Sequence, residues 1–488
     1  MSFTYRYKTR PYKHQVQALK KLLKTGYGGA LLMEPRTGKT KTAIDYMAIL
    51  AQGGKVRRVI IVCPLSVIGV WEDEIRRHCK YPVNIVVWDR LGRQAHNLPS
   101  TPGHINIVIL NYDAFSISDK KSKFGQKALR AALRAWKAHL MILDESHRIK
   151  SPSARKTYYL WSTAWDFGRS RHKPRANLIP YRLIMTGTPV TKGKRLFDVY
   201  SQWKFLNPER FVDLGTFDLF KHHFGVWTER NGYPQWIRNQ NEDELRARIA
   251  EDAFLIKREQ CFDLPPRSDQ VIPITLSNET RRVYDEMEAE MLSKLKNGEI
   301  TTASIKLVQS LRLAQITSGL SKTDEGKLYA IGSEKLDATR DILSDLFEAD
   351  EKVVVAARFR GDHRRLEKLG EQLRVPVYRV VGGQNRGERD RAIRDFRAND
   401  SKALMLIQPQ AASLGIDLST ASVMIWYSLT NSFVDFSQAC DRIALSAKKT
   451  AFLYLLAEGT VDHDLYASLQ TDGDVASIML ERLRNPGA

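Results

Sequence analysis

An α/β protein built on doubly wound parallel sheets is what the sequence predicts, and three observations predict it. Short apolar runs, rich in residues that favour strands, alternate with helical patterns. The alternation breaks after about residue 200 and resumes near residue 350. Residues able to carry phosphate chemistry stand at the ends of several of these runs, where open α/β sheets bind their ligands.

The first series is "ALLM" (30–33), "VIIVC" (59–63), "NIVVW" (84–88), "INIVIL" (105–110), "LMILD" (140–144) and "LIMT" (183–186). After Thr40, the apolar positions Ala43, Ile44, Met47, Ala48 and Ala51 recur at helical spacing. Residues 200–260 are rich in aromatics and read mostly as helices, and "DLPPRSD" (263–269) marks a boundary. Residues 275–325 read as helices with charged faces. The second series is "KVVVAA" (352–357), "VYRVV" (377–381), "ALMLIQ" (403–408), "SVMIWY" (422–427) and "AFLYLL" (451–456). The expected organisation is one α/β lobe over 1–200, a mostly helical insertion and linker over 201–330, and a second α/β lobe over 331–488. Two such lobes facing each other make a cleft, where ligands and motion meet.

At 488 residues the chain exceeds one ordinary core. Hydrophobic content of 43% with 27% charged residues describes a globular chain and excludes a disordered one. Lys and Arg number 76 against 55 Asp and Glu, a net charge of +21. Such an excess favours a polyanionic partner, since clustered cations release counterions from a nucleic-acid backbone. Charge alone also describes a basic protein kept soluble. The cysteines Cys63, Cys79, Cys261 and Cys440 form no CxxC pair, which argues against zinc and for a reducing cytoplasm. "MSFTYRYKTR" lacks the apolar region of a secretory signal. The longest apolar run, Val59 to Trp71, is interrupted by Pro64 and too short to span a bilayer, so no membrane is expected.

Three stretches carry the chemistry. "LLMEPRTGKTKTA" (31–43) follows an apolar strand and opens a helix, the geometry a phosphate cradle needs. Thr37 and Gly38 form its turn; Gly38 lets the backbone approach, Lys39 supplies a point charge, and the Thr40 hydroxyl can hold Mg²⁺. A helix cap with a solvated lysine would look much the same. "LMILDESHRIKS" (140–151) delivers Asp144 and Glu145 at a strand's carboxyl end. Asp144 can hold Mg²⁺ through water, and Glu145 can orient or deprotonate an attacking water. "LIMTGTPVTKG" (183–193) ends a third strand in Thr186, Gly187, Thr188 and Pro189.

In that order the three stretches resemble superfamily-two helicases, and more closely the Swi/Snf-like branch of ATP-driven DNA translocases, whose lobes are RecA-like. "RPYKHQVQAL" (10–19) is similar to the family's adenine-recognition segment, which makes Gln15 the base reader by resemblance. "VIIVCPLSVIGVWEDEI" (59–75), with Pro64, Ser66, Trp71 and Glu74, and "NYDAF" (111–115), with Asn111 and Tyr112, resemble nucleic-acid-facing motifs. "FLIKREQCFDLPP" (254–266), "LRLAQITSGL" (311–320) and "SEKLDATRDIL" (333–343) resemble markers of the branch. Across 408–443 the resemblance assigns Gly415 and Asp417 to the fifth motif, and Gln438 and Arg442 to the sixth. It implies ATP and Mg²⁺ as cofactors, and Arg442 reaching the γ-phosphate when lobes close. The family's ATP loop has Gly where Arg36 stands, so Arg36 points outward or adds a cation near the nucleotide. The second arginine of the sixth motif is Leu445 here, with Lys448 and Lys449 as nearby substitutes.

Basic clusters at Lys120, Lys121 and Lys123, at "RSRHKPR" (Arg169, Arg171 and Lys173) and at "ARFRGDHRR" (Arg358 and Arg360) are candidate DNA contacts or solvated faces. Trp161 and Trp165 read equally as core or as stacking platforms. The expected function is a DNA translocase or helicase on duplex or branched DNA, serving replication, recombination or repair. A compact bacterial or phage-type member in the cytoplasm, associated with DNA, is the expected setting. RNA unwinding and a nucleotide-gated DNA clamp with weak hydrolysis stay open as alternatives.

Overall fold

The computed structural model describes residues 5–88, 98–116, 126–167, 174–187, 196–230, 233–261, 267–296, 311–322, 328–412, 416–443 and 448–470. They form two compact units that divide at Asp263 and Leu264.

The first unit is a seven-stranded sheet in the order β11-β1-β8-β5-β2-β4-β3, with every pairing parallel. Its strands are β1 (Gly28–Met33), β2 (Arg58–Cys63), β3 (Val83–Val87), β4 (Ile105–Asn111), β5 (Leu140–Asp144), β8 (Tyr181–Thr186) and β11 (Ala253–Ile256). Two-residue strands β6 (Trp165–Asp166) and β7 (Ala176–Asn177) pair with each other, and β9 (Gly225–Arg230) and β10 (Tyr233–Asn239) form an antiparallel hairpin. Because side chains alternate across a strand, neighbours such as Leu31 and Leu32 enter different cores. Leu31, Ile61, Ile142 and Met185 pack under helices α1 (Lys13–Thr25), α2 (Lys39–Gln52) and α3 (Ile68–His78). Leu32, Val62, Leu143 and Ile184 pack on the other face, with Leu160 and Trp203 of the helices Arg155–Ala164 and Val199–Leu206. Burial on both faces explains the unbroken apolar runs of the sequence.

The second unit has a six-stranded parallel sheet in the order β12-β19-β18-β15-β17-β16. Its strands are β12 (Arg267–Ile274), β15 (Lys352–Ala356), β16 (Val377–Val380), β17 (Ala403–Ile407), β18 (Val423–Trp426) and β19 (Thr450–Ala457), while β13 (Leu320–Lys322) and β14 (Leu328–Ala330) pair separately. Both sheets with flanking helices are doubly wound α/β layers, as expected.

Residues 201–330 are divided between the units. Trp203, Phe205, Phe220, Phe224, Leu245 and Ile249 share one core with Leu32 and Val62, so the aromatic-rich stretch completes the first unit. Trp161 and Trp165 belong to that core too, their indole N–H groups donating to the carbonyls of Ser201 (2.8 Å) and Phe205 (2.7 Å). The boundary moves because two edge strands gave no double-sided apolar signal. β11 has four residues and one strand neighbour, β1. β12, "RSDQVIPI", is exposed along most of its length and carries Pro273, which an edge strand tolerates.

Asp252 anchors the segment before β11. It is 1% exposed and accepts from Arg210 Nε (3.0 Å) and Nη2 (2.8 Å), Trp203 Nε1 (3.2 Å) and the Tyr27 hydroxyl. In the second unit, Asp362 is fully buried and accepts from the Ser428 hydroxyl at 2.8 Å. Burial raises its carboxyl to about 6.

Two predictions follow from these carboxylates. Asp252→Ala strands Arg210 and is expected to lower stability in urea unfolding by about 3–5 kcal/mol, whereas Glu251→Ala, which removes only an exposed partner, costs about 0–1 kcal/mol. A folded-state carboxyl pKa raised above the unfolded value binds its proton more tightly when folded. Its stability penalty is therefore absent at low pH and grows as pH rises through that window. Asp362→Asn should match the parent below about pH 4 and exceed it by about 3 kcal/mol above about pH 6, read from unfolding at stepped pH.

Candidate functional site

Three adjacent strands of the first sheet, β1, β8 and β5, bring three loops to one edge. The loop after β1 runs from Glu34 to Gly38 and opens α2. Arg36 holds φ +65° and Gly38 φ +83°, both left-handed. Glycine takes that region freely; an arginine does so at a cost of about 1–2 kcal/mol. The turn therefore keeps a backbone shape that glycine would favour at position 36, now carried by a side chain.

Gln15 sits directly over Gly38. Its Nε2 donates to the Gly38 carbonyl at 3.3 Å, and its Oε1 accepts from the Tyr12 N–H at 2.8 Å. A Cβ at Gly38 would lie 2.0 Å from Gln15 Nε2, so only glycine admits this approach. His14 Nε2 contacts the Thr37 carbonyl at 2.8 Å, and the Thr37 hydroxyl donates to the Glu34 carbonyl at 2.7 Å. Lys39 Nζ donates to the Met33 carbonyl at 2.7 Å, folded back on the strand's last residue. Thr40 follows in the first turn of α2. Beside the loop lies a cavity of about 670 Å³ whose walls include Arg10, Tyr12, Gln15, Gly38, Lys41 and His78. That volume suits a small-molecule ligand of a few hundred daltons. Gln15 thus reaches the cavity, with both ends of its carboxamide already engaged.

The loop after β5 carries the carboxylates. Asp144 is 9% exposed, and its Oδ2 accepts from the Trp71 indole N–H at 2.9 Å. Burial and the neighbouring charge of Glu145 raise the Asp144 carboxyl. Glu145 turns into the left-handed region, φ +54° and ψ +54°. Burial pushes its pKa upward, but the His147 hydrogen bond and the charges of His147, Lys39 and Arg148 outweigh this and hold it low. The pair is thus split, with the proton held more tightly on Asp144 and the negative charge on Glu145.

The loop after β8 closes the group. Thr186 Oγ1 lies 3.4 Å from Glu145 Oε2 and 3.2 Å from His147 Nδ1, while His147 Nδ1 is 3.3 Å from Glu145 Oε2. A Cβ on Gly187 would stand 2.9 Å from Pro35 Cδ, so this turn leans against the phosphate-type loop. Trp71, His147 and Thr186 complete the site without having been singled out as site residues. Their signal was present only as membership of motifs.

Other candidates are placed differently. Asn111 and Tyr112 are buried; Asn111 Oδ1 accepts from Ala114 N at 2.8 Å, and the Tyr112 hydroxyl donates to the Asp144 carbonyl at 2.7 Å. Both side chains are engaged in hydrogen bonds within the fold. Pro64 is buried at the head of the turn after β2, where Leu65 is 58% exposed. In the second unit, Arg358 Nη2 donates to Asn431 Oδ1 at 3.0 Å, and Arg360 is exposed at the start of the helix Arg360–Gln372. Asp417 Oδ1 accepts from Ser419 N at 3.1 Å, and its Oδ2 lies 3.4 Å from Arg397 Nη2. Gln438 is half-buried on the helix Phe433–Cys440. Arg442 is 7% exposed and donates to the Ile416 carbonyl at 3.4 Å. Lys448 pairs with Glu351 at 2.6 Å on the surface, and Lys449 beside it is exposed. The Ser66 side chain, Lys120, Lys121, Lys123, Arg169, Arg171, Lys173, Thr188, Pro189, Gly415 and Leu445 lie outside the described residues. Among the described residues, no helix is long and apolar enough to cross a membrane.

Residues 13–322 match the model of the SNF2-related domain, and residues 334–444 match the helicase conserved C-terminal domain. The ISWI chromatin-remodeling complex ATPase CHR11 of Arabidopsis thaliana is 28% identical over 440 residues, covering 86% of this chain and 38% of that protein. The DNA excision repair protein ERCC-6 of Homo sapiens is 23% identical over 482 residues, covering 90% of this chain and 30% of that protein. The chain thus spans less than two fifths of the length of these curated relatives. Among solved structures, the Sulfolobus solfataricus SWI2/SNF2 ATPase core in complex with dsDNA shares 18% identity, with 99% of this chain and 97% of that chain covered at a TM-score of 0.44.

The loop geometry yields a test. Arg36→Gly should leave stability unchanged or raise it by about 1 kcal/mol, while Arg36→Val, with a β-branched side chain at positive φ, should lower it by about 1–3 kcal/mol in thermal unfolding.

Proposed function

The chain belongs to the SNF2-related family, and from that membership we propose that it hydrolyses ATP with Mg²⁺ and moves on duplex or branched DNA. The observation that carries this reading is the meeting of Lys39, the pair Asp144 and Glu145, and Thr186 with Gly187 at one edge of the first sheet.

Each residue has work that its position suits. The N-terminus of α2 and the turn before it present backbone N–H groups to an anion, with the helix dipole favouring negative charge. Lys39 exchanges the Met33 carbonyl for the terminal phosphates. Glu145, held ionised, accepts a hydrogen bond from the attacking water and orients it; His147 and Thr186 fix its carboxylate. Asp144 and Thr40 are hard oxygen donors of the kind Mg²⁺ selects, and the ion would there neutralise charge on the phosphates. Gln15 lies where a base in the cavity would meet its carboxamide, after exchange of one present partner.

A nucleic-acid partner is supported by the net charge of +21, and the likeness to the Swi/Snf branch favours DNA as the polymer. Work in replication, recombination or repair is the setting we favour, with the similarity to a human DNA excision repair protein as its support. A nucleotide-gated clamp with weak hydrolysis is the second reading. It is favoured by the burial of Arg442 and its bond to the Ile416 carbonyl within the second unit.

ATP hydrolysis measured with no polymer, duplex DNA, single-stranded DNA, forked DNA and RNA decides among these. Stimulation by duplex or forked DNA is expected. Stimulation by RNA alone would replace the proposal with RNA unwinding, and DNA binding with little turnover would favour the clamp. Lys39→Ala is expected to abolish turnover. Glu145→Gln should lose about 10²–10⁴-fold in rate while still binding ATP; normal hydrolysis by this variant refutes the assignment of Glu145.

A further inference from the structure

We infer that Trp71 and Tyr112 are positioning residues for Asp144, and that through them the turns after β2 and β4 are tied to the carboxylate that holds the metal. This rests on the Mg²⁺–ATP reading above and extends it to two side chains outside the nucleotide loops.

The sheet order makes the connection. β2 has β5 on one side and β4 on the other, with Val62 level with Leu143 and Cys63 level with Asn111. The chain leaving β2 enters α3 within five residues, which sets Trp71 beside the end of β5. Trp71 is 1% exposed, and its indole N–H reaches Asp144 Oδ2 at 2.9 Å. An indole nitrogen donates and never accepts, so this bond has one polarity and pins one oxygen of the carboxylate.

Tyr112 acts on the backbone of the same residue. It follows β4 directly, is 2% exposed, and donates its hydroxyl to the Asp144 carbonyl at 2.7 Å. That carbonyl belongs to the peptide joining Asp144 to Glu145, where the chain turns to φ +54°. Tyr112 therefore fixes the plane of the peptide from which both carboxylates depart. Packing alone does not explain the Tyr112 contact, because a phenyl ring would fill the same space there. Asn111 supports this arrangement by capping the turn that carries Tyr112.

The same two stretches supply Pro64 and Asn111, residues that the family resemblance had placed facing nucleic acid. In the structure the Tyr112 hydroxyl holds the Asp144 carbonyl, and Asn111 caps the turn that carries Tyr112. Outer-shell donors of this kind tune metal affinity by orienting the ligand that touches the ion.

The test uses the full chain and Mn²⁺ as the probe metal. ADP binding is measured by calorimetry in chelator and again with Mn²⁺, and bound Mn²⁺ is counted by electron paramagnetic resonance. Trp71→Phe is expected to leave ADP affinity in chelator unchanged and to weaken Mn²⁺ binding to the ADP complex by about 10-fold. Tyr112→Phe should shift Mn²⁺ affinity in the same direction and by less. Wild-type Mn²⁺ affinity in both variants overturns the inference while leaving the ATPase reading intact. Absence of Mn²⁺ from the parent's ADP complex overturns both together. Should Trp71→Phe fail to fold, as judged by its thermal transition, Tyr112→Phe decides the matter alone.

Discussion

Two carboxylates packed side by side at the end of a buried strand are the constraint on which the first unit turns. Neighbouring negative charges with little water around them repel, and each loses hydration on burial. The fold meets this by surrounding the pair with donors from every neighbouring strand. Trp71 comes from the chain after β2, Tyr112 from the chain after β4, Thr186 from β8 and His147 from the same loop. Lys39, the first residue of α2, adds positive charge. Without a parallel sheet these five could not reach one place, because only parallel strands end on the same edge with their loops adjacent.

The opposing environments of Asp144 and Glu145 give the two residues different chemistry from near-identical side chains. Burial and the charge of Glu145 make Asp144 keep its proton more readily, against the one neutral hydrogen bond that Trp71 donates. Glu145 sees an imidazole, a threonine hydroxyl and cations, and keeps its charge. A group that must orient water is best ionised, and a group that awaits a metal can surrender its proton when the ion arrives. The local electrostatics thus precede and favour the division of labour that ATP hydrolysis needs.

Much of this was legible in the chain. The apolar runs from "ALLM" to "AFLYLL" all became strands, because burial on both faces leaves no polar alternation to blur them. Lys39, Asp144 and Glu145 were legible as candidates that would meet at one sheet edge, because short motifs fix them to strand ends. Edge strands β11 and β12 escaped notice, being short or exposed, and with them the sharing of residues 201–330 between the two compact units. Tyr112 stood in a stretch resembling a nucleic-acid-facing motif, and its bond to the Asp144 carbonyl, 32 residues away, has no local signal. Trp71 stood in a recognised motif, yet its bond to Asp144 spans 73 residues and no local pattern encodes it. Arg36 was legible as an oddity only; the left-handed backbone that it preserves emerges from the coordinates.

The proposed site is tested most directly by where nucleotide binds. Hydrogen–deuterium exchange of the Glu145→Gln chain, with and without Mg²⁺ and ATP, measures this without requiring turnover. Protection is predicted at residues 9–15, 33–42, 144–149 and 185–187, the stretches that line the cavity and the three loops. Protection confined to other parts of the chain, with these four stretches unchanged, would contradict it.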